Sequence, residues 1–150
     1  MVSLADRVRG LLQGGAIVDP GLPLTRVPFV VIDTELTGLD AKRDSVVSVG
    51  AVKMSGTRIE LGRTFYRLVS PQASFNHRSI VVHGITPDDV VEKPRLDSIA
   101  AELIAFCGDR VIAGHFLTID LGFLGREAAA VRGAEWRRRA VDTFRIHVWI

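Results

Sequence analysis

Cysteine is almost missing from this chain: Cys107 is the single one in 150 residues. That excludes an intramolecular disulfide and any metal site built from cysteines. Long uncharged apolar runs are missing too, so no membrane-spanning helix is expected. The N-terminal stretch MVSLADRVRGLLQGG sets Asp6, Arg7 and Arg9 among its apolar residues, and so lacks the unbroken core of a signal peptide. The expectation is a reducing, cytoplasmic setting with no membrane partner. Any excess of one charge is small as well: 19 basic residues face 17 acidic ones, for a formal net of +2. What is present, 47% hydrophobic and 24% charged residues, is the composition of a folded globular domain rather than a disordered chain. The length suits one such domain with a real core and is short for two.

The small net charge hides an asymmetry. Residues 121–150 hold six arginines against three acids. Arg126, Arg132, Arg137, Arg138 and Arg139 form a basic segment that either attracts phosphates or is a solvated face.

Leu4, Val8, Leu11 and Leu12 lie at helical spacing, which predicts an amphipathic helix over 3–13. The stretch GGAIVDPGLPL then reads as a linker, giving an N-terminal helix and linker over 1–26 and a main domain over 27–150. Strands are expected at Val27–Thr34 and Ser45–Met54, with Ser55-Gly56 turning into a third that ends near Phe65–Val69. Pro71–Val91 reads as mostly loop with a short helical piece. A helix over Ser98–Cys107, a strand at Arg110–Ala113, a helix over Thr118–Arg132 and a fifth strand at Arg138–Val141 complete the core. Phe144, Ile146, Val148 and Ile150 alternate with Arg145, His147 and Trp149, which predicts a strand in the tail. Three strands followed by alternating helices and strands give an α/β layer fold with a mixed sheet. No G-x-G-x-x-G follows the first strand, which excludes a Rossmann-type nucleotide binder.

Two carboxylates end the first strand. In VVIDTELTGLD, Asp33 and Glu35 sit two residues apart and so project to one side. Two close carboxylates do not both stay ionised cheaply unless a positive charge joins them. A divalent cation supplies it, and hard oxygen donors select Mg²⁺ or Mn²⁺. The plainer alternative is a strand end whose acids cap a helix or pair with an arginine. Gly38 is expected to let the backbone turn and approach a ligand closely. Further on, VIAGHFLTIDLGFL passes from a strand through Gly114-His115 into a helix. Thr118 is expected to cap that helix, and Asp120 falls in its first turn, where a carboxylate suits the dipole. Capping alone would account for Asp120.

Taken together, Asp33-Thr34-Glu35 with Thr37-Gly38-Leu39, then His83-Gly84-Ile85-Thr86, then Gly114-His115 through Asp120-Leu121-Gly122-Phe123-Leu124, and finally Val141-Asp142-Thr143, resemble the DEDDh 3′–5′ exonucleases. That group includes the epsilon proofreading subunit of bacterial DNA polymerase III and RNase T. The resemblance spans residues 27–143. It implies a ribonuclease H-like fold, a mixed five-stranded sheet flanked by helices, and two-metal hydrolysis of phosphodiesters from a 3′ end. It assigns Asp33, Glu35 and Asp120 as catalytic, metal-holding carboxylates for two Mg²⁺ or Mn²⁺ ions. Asp33 would touch both ions, Glu35 the one carrying the attacking water, and Asp120 the other. Leu36, Thr37, Gly38, Leu39, His83 and His115 would contact the terminal nucleotide, although each histidine also admits a purely structural role.

The sequence departs from that pattern in places. Leu36 stands where the family usually has Thr, Phe116 where it has Asn, and Ile119 where it has Phe. The family's third motif, H-x-x-x-x-D, follows the D-T segment by some tens of residues and does not occur after Thr143 here. A fragment or shortened enzyme is therefore expected, without its general base, its fourth carboxylate and its C-terminal active-site helices. The implied partners are a single-stranded or frayed 3′ end, DNA or RNA, and a polymerase or other replication or repair protein. A homo-oligomer is compatible with the sequence. The alternative function is an inactive exonuclease-like module that binds nucleic-acid ends or a polymerase-like partner.

Overall fold

The computed structural model describes residues 21–132 and 139–149 of the chain. The expected helix over 3–13, most of the linker after it, and Arg137 and Arg138 lie outside the described residues. A short 3-10 turn at Leu24–Arg26 leads into β1 (Pro28–Leu36), β2 (Val46–Ser55) and β3 (Arg58–Leu68). Helices α1 (His77–His83), α2 (Pro87–Val90) and α3 (Leu96–Cys107) follow, then β4 (Val111–Gly114), α4 (Leu117–Arg132), β5 (Ala140–Asp142) and α5 (Thr143–Trp149).

The five strands form one mixed sheet in the order β3-β2-β1-β4-β5. β1 pairs antiparallel with β2 and parallel with β4, and β4 pairs parallel with β5. The β2–β3 hairpin turns at Gly56, whose φ of +57° is a left-handed conformation that glycine adopts without a Cβ clash. Alternation sorts β1 cleanly. Val30, Ile32 and Leu36 join the core with Leu103 and Cys107 of α3 and Phe123 and Leu124 of α4. Phe29 and Val31 on the opposite face are only half-buried, and they line a cavity of about 520 Å³ with Met54, Ala113 and Ile146.

Three expectations need correction. The stretch 71–91 holds two helices rather than one. Asn76 caps α1 by accepting the Arg78 N–H at 3.0 Å, and a Thr86/Asp89 capping box starts α2. Thr118 does not cap its helix, because α4 already begins at Leu117. The tail is helical rather than extended. Asp142 Oδ1 accepts the Phe144 N–H at 3.0 Å, which places Asp142 at the N-cap of α5. Phe144 and Ile146 of the tail remain 36% and 48% exposed.

Candidate active site

In a sheet with parallel neighbours, the carboxyl ends of the strands leave backbone groups and loops free to meet a ligand. The residues singled out in the sequence gather at that end. Asp33 and Glu35 lie near the end of β1, His115 follows β4, Asp142 closes β5, and Asp120 sits in the first turn of α4. Asp33 is exposed and Glu35 half-buried, whereas Asp120 is 6% exposed.

Asp120 is held across the sheet by a residue that sequence reasoning passed over. Its Oδ1 accepts the Thr34 N–H at 2.9 Å and the Thr34 hydroxyl at 2.6 Å. Thr34 stands between the two β1 carboxylates, so the D-T-E triplet both supplies two acids and anchors a third from 86 residues away. The signal was present, since Thr34 lies inside the matched motif.

The three carboxylates interact. Burial raises the pKa of Glu35 above its ordinary 4.5; Asp33 pushes it further up, His83 pulls it down, and Asp120 raises it again. Burial likewise raises Asp120 above 3.8, with Thr34 opposing and Asp33 adding to the rise. No lysine or arginine is among the causes at either group. The donors are all hard oxygens from carboxylates that raise one another's pKa, which fits a divalent cation. Among the described residues, no three His, Cys, Asp or Glu side chains close on a common point by themselves, and Asp120 commits one oxygen to Thr34.

A raised folded-state pKa means that stability is fully present below the unfolded value and lost as pH rises through the folded one. Asp120→Asn keeps an oxygen for Thr34 and removes the buried charge. At pH 7, without divalent cations, the variant is therefore expected to be more stable than the parent. The difference should shrink as pH falls toward 3.8, Asp120's ordinary value. Urea melts across that range check it, and a parent more stable than the variant at pH 7 would contradict the shift.

The loop after β1 is built differently from the expectation. Thr37 is completely buried. Its N–H donates to the Ser45 carbonyl at 2.9 Å and its carbonyl accepts from Asn76 N–H at 3.3 Å. Its hydroxyl bonds Asp44 Oδ1 and the Ser45 N–H, both at 3.0 Å. Thr37 thus fixes the loop with all its polar groups. Gly38 is required because a Cβ there would come within 2.4 Å of the Asp44 carboxylate. The close approach that this glycine allows is to Asp44. Leu36 is in the core, while Leu39 stands 77% exposed.

Leu39, Glu35, Gly38, Val82 and His83 line a groove of about 480 Å³. His83 Nδ1 accepts the Ile85 N–H at 3.0 Å, so the proton of the neutral ring is on Nε2. That Nε2 is buried and has no hydrogen-bond partner among the described residues, and a buried donor left so costs about 1–3 kcal/mol. His115, by contrast, is exposed and lines the cavity that also borders Asp33. The Arg126 guanidinium donates to the carbonyls of Ala41 and Asp44 and so tethers the same loop. The side chain of Arg132 is outside the described part, and the Arg139 carbonyl accepts from Ile112 N–H at 2.9 Å.

A family profile described as Exonuclease, of the RNase T type, matches residues 30–148. The chain belongs to this exonuclease family. The DNA polymerase III PolC-type protein of Thermotoga maritima is 32% identical over 115 residues, covering 77% of this chain and 8% of that protein. The DNA polymerase III subunit epsilon of Aquifex aeolicus is 31% identical over 118 residues, covering 79% of this chain and 57% of the subunit. The chain therefore spans less than two thirds of either relative. Among solved structures, the E. coli exonuclease I–ssDNA complex superposes with a TM-score of 0.69 at 15% identity, over 81% of this chain and 29% of that one. Exonuclease X with 5′-overhanging duplex DNA gives 0.64 at 20% identity, over 81% and 64%. These likenesses establish the fold, the mixed five-stranded sheet flanked by helices. No helix among the described residues is long and apolar enough to cross a membrane.

Proposed function

We propose that this domain hydrolyses nucleic-acid phosphodiesters stepwise from a 3′ end, using divalent cations held by Asp33, Glu35 and Asp120. One observation carries the reading: the strand end of β1 and the first turn of α4 bring Asp33, Glu35 and Asp120 together at the carboxyl end of the sheet, Asp120 being held there by Thr34. Two bound Mg²⁺ or Mn²⁺ ions would activate water and stabilise the departing 3′ oxygen.

The chain's own residues do the rest. Thr34 holds Asp120 beside the β1 pair. The Thr37–Asp44 hydrogen bond and the Arg126 tether keep the loop bearing Gly38 and Leu39 in one shape. Leu39 offers an apolar edge against which a terminal base can lie, while His83 Nε2 offers a buried donor to an oxygen of the terminal nucleotide. His115 is placed on the Asp33 side of the same sheet end.

The relatives named as polymerase III components support a replication or repair protein as the partner. The test is a 5′-labelled single-stranded oligonucleotide incubated with Mn²⁺ or Mg²⁺. Products should shorten progressively from the 3′ end, and a 3′-terminal phosphorothioate should stall them. The second reading is an end-binding module that does not cleave. It would show as oligonucleotide binding with no products under any cation.

A further inference from the structure

Phe116 is the one non-glycine residue with positive φ among the described residues, at +54°. A bulky aromatic in the left-handed region is strained and persists only where its surroundings hold it. Here a single carboxylate does so. Asp142 Oδ1 accepts the Phe116 N–H at 3.1 Å and the Phe144 N–H at 3.0 Å, which fixes two backbones 28 residues apart with one oxygen.

The consequence is a stacked pair, with the Phe116 and Phe144 ring centroids 4.1 Å apart and their planes 26° from parallel. His115 meets both rings edge-on, at 4.8 Å and 79° and at 5.9 Å and 90°. The imidazole is itself fixed. The Thr143 hydroxyl donates to the Gly114 carbonyl at 3.0 Å, so the 3.0 Å contact between His115 Nδ1 and that hydroxyl oxygen is donated by the ring. Strained backbone and shared caps usually serve burial, yet Phe116 and Phe144 remain 46% and 36% exposed. The strain presents aromatic surface to solvent.

We propose that the Phe116–Phe144 stack is a platform for a base of the single strand entering the carboxylate site. The inference rests on the nucleic-acid reading above and adds a site to it. Its place is right: Phe116 lies four residues before Asp120, and His115 borders the same cavity as Asp33. Its chemistry is right as well, because any base offers a flat π face to an aromatic and stacking tolerates sequence. Arg145, exposed and next to Phe144 in α5, supplies charge for the attached phosphate. The platform also accounts for the departures at 116 and 119, where an aromatic has been lost from one position of the segment and gained at the other.

The measurement is fluorescence anisotropy with a single-stranded oligonucleotide in Ca²⁺, against the same strand made abasic at its last two nucleosides. Phe144→Ala and Phe116→Asn should each weaken binding of the intact strand on the order of tenfold, and Phe144→Trp should restore it. On the abasic strand, parent and variants should bind alike. Phe116→Asn relieves the left-handed strain, because Asn tolerates that region, so its melting temperature should hold or rise while its affinity falls. If the parent binds the intact strand and both variants match it, the platform is overturned and the nucleic-acid reading stands. Equal weakening on intact and abasic strands would mean that the rings only support the fold, and overturns it too. If the parent binds no oligonucleotide at all, both readings fall together.

Discussion

Asp33→Asn is expected to abolish divalent-cation binding and to lower 3′–5′ cleavage by on the order of 10³-fold, since a lost metal ligand forfeits several kcal/mol of charge stabilisation. Asp33 is the carboxylate that the other two feel: it raises the pKa of both Glu35 and Asp120. It is also the exposed member of the three, so its replacement leaves no buried group orphaned and should leave the fold intact. Asp120→Asn should cost less cation affinity, because the Asp120 carboxylate already commits one oxygen to two hydrogen bonds from Thr34. Mn²⁺-induced proton relaxation reads the affinity, and digestion of a 5′-labelled strand reads the rate. Undiminished Mn²⁺ binding in Asp33→Asn would move the site elsewhere. A coincident loss of melting temperature without cations would instead mark Asp33 as structural.

The carboxylates were legible because their signal is local. A buried apolar run that ends in D-x-E can be read without knowing what packs against it, and Val30, Ile32 and Leu36 do enter the core as the alternation requires. The same holds for Asp120, whose place in a first helical turn follows from the strand-to-helix switch at Gly114-His115. What stayed hidden depends on contacts between distant segments. Thr34 reads as a spacer until α4 brings Asp120 to it. Gly38 reads as a turn glycine, and its packing against the Asp44 carboxylate shows only once the loop is folded. The tail shows why a period-two pattern is weak in isolation: an N-cap aspartate starts a helix there, and Phe144 and Ile146 become partly exposed helix residues. Phe116 lay beyond propensity altogether, because its backbone is set by Asp142 from 26 residues away.

The rate of this 150-residue chain should rise steadily with pH rather than level off near neutrality. No His-x-x-x-x-Asp segment follows Thr143 in it, so the general base that the family resemblance implies is not supplied by these residues. General-base assistance is typically worth ~10²–10⁴-fold, and the fourth carboxylate would be lost with it. The two act as one unit, so their losses need not multiply. Hydroxide must then come from solvent, and the logarithm of the single-turnover rate should climb with a slope near one as pH rises above neutrality. Mn²⁺ should outperform Mg²⁺, because it acidifies bound water more strongly, and added imidazole should raise the rate in proportion to its neutral form. A profile that reaches a plateau near pH 7 and ignores imidazole would show that a histidine within the chain already serves as base. His115 would then be the first residue to replace, since its Nδ1 donates to the Thr143 hydroxyl, which leaves Nε2 of the neutral ring able to accept a proton, and it borders the same cavity as Asp33.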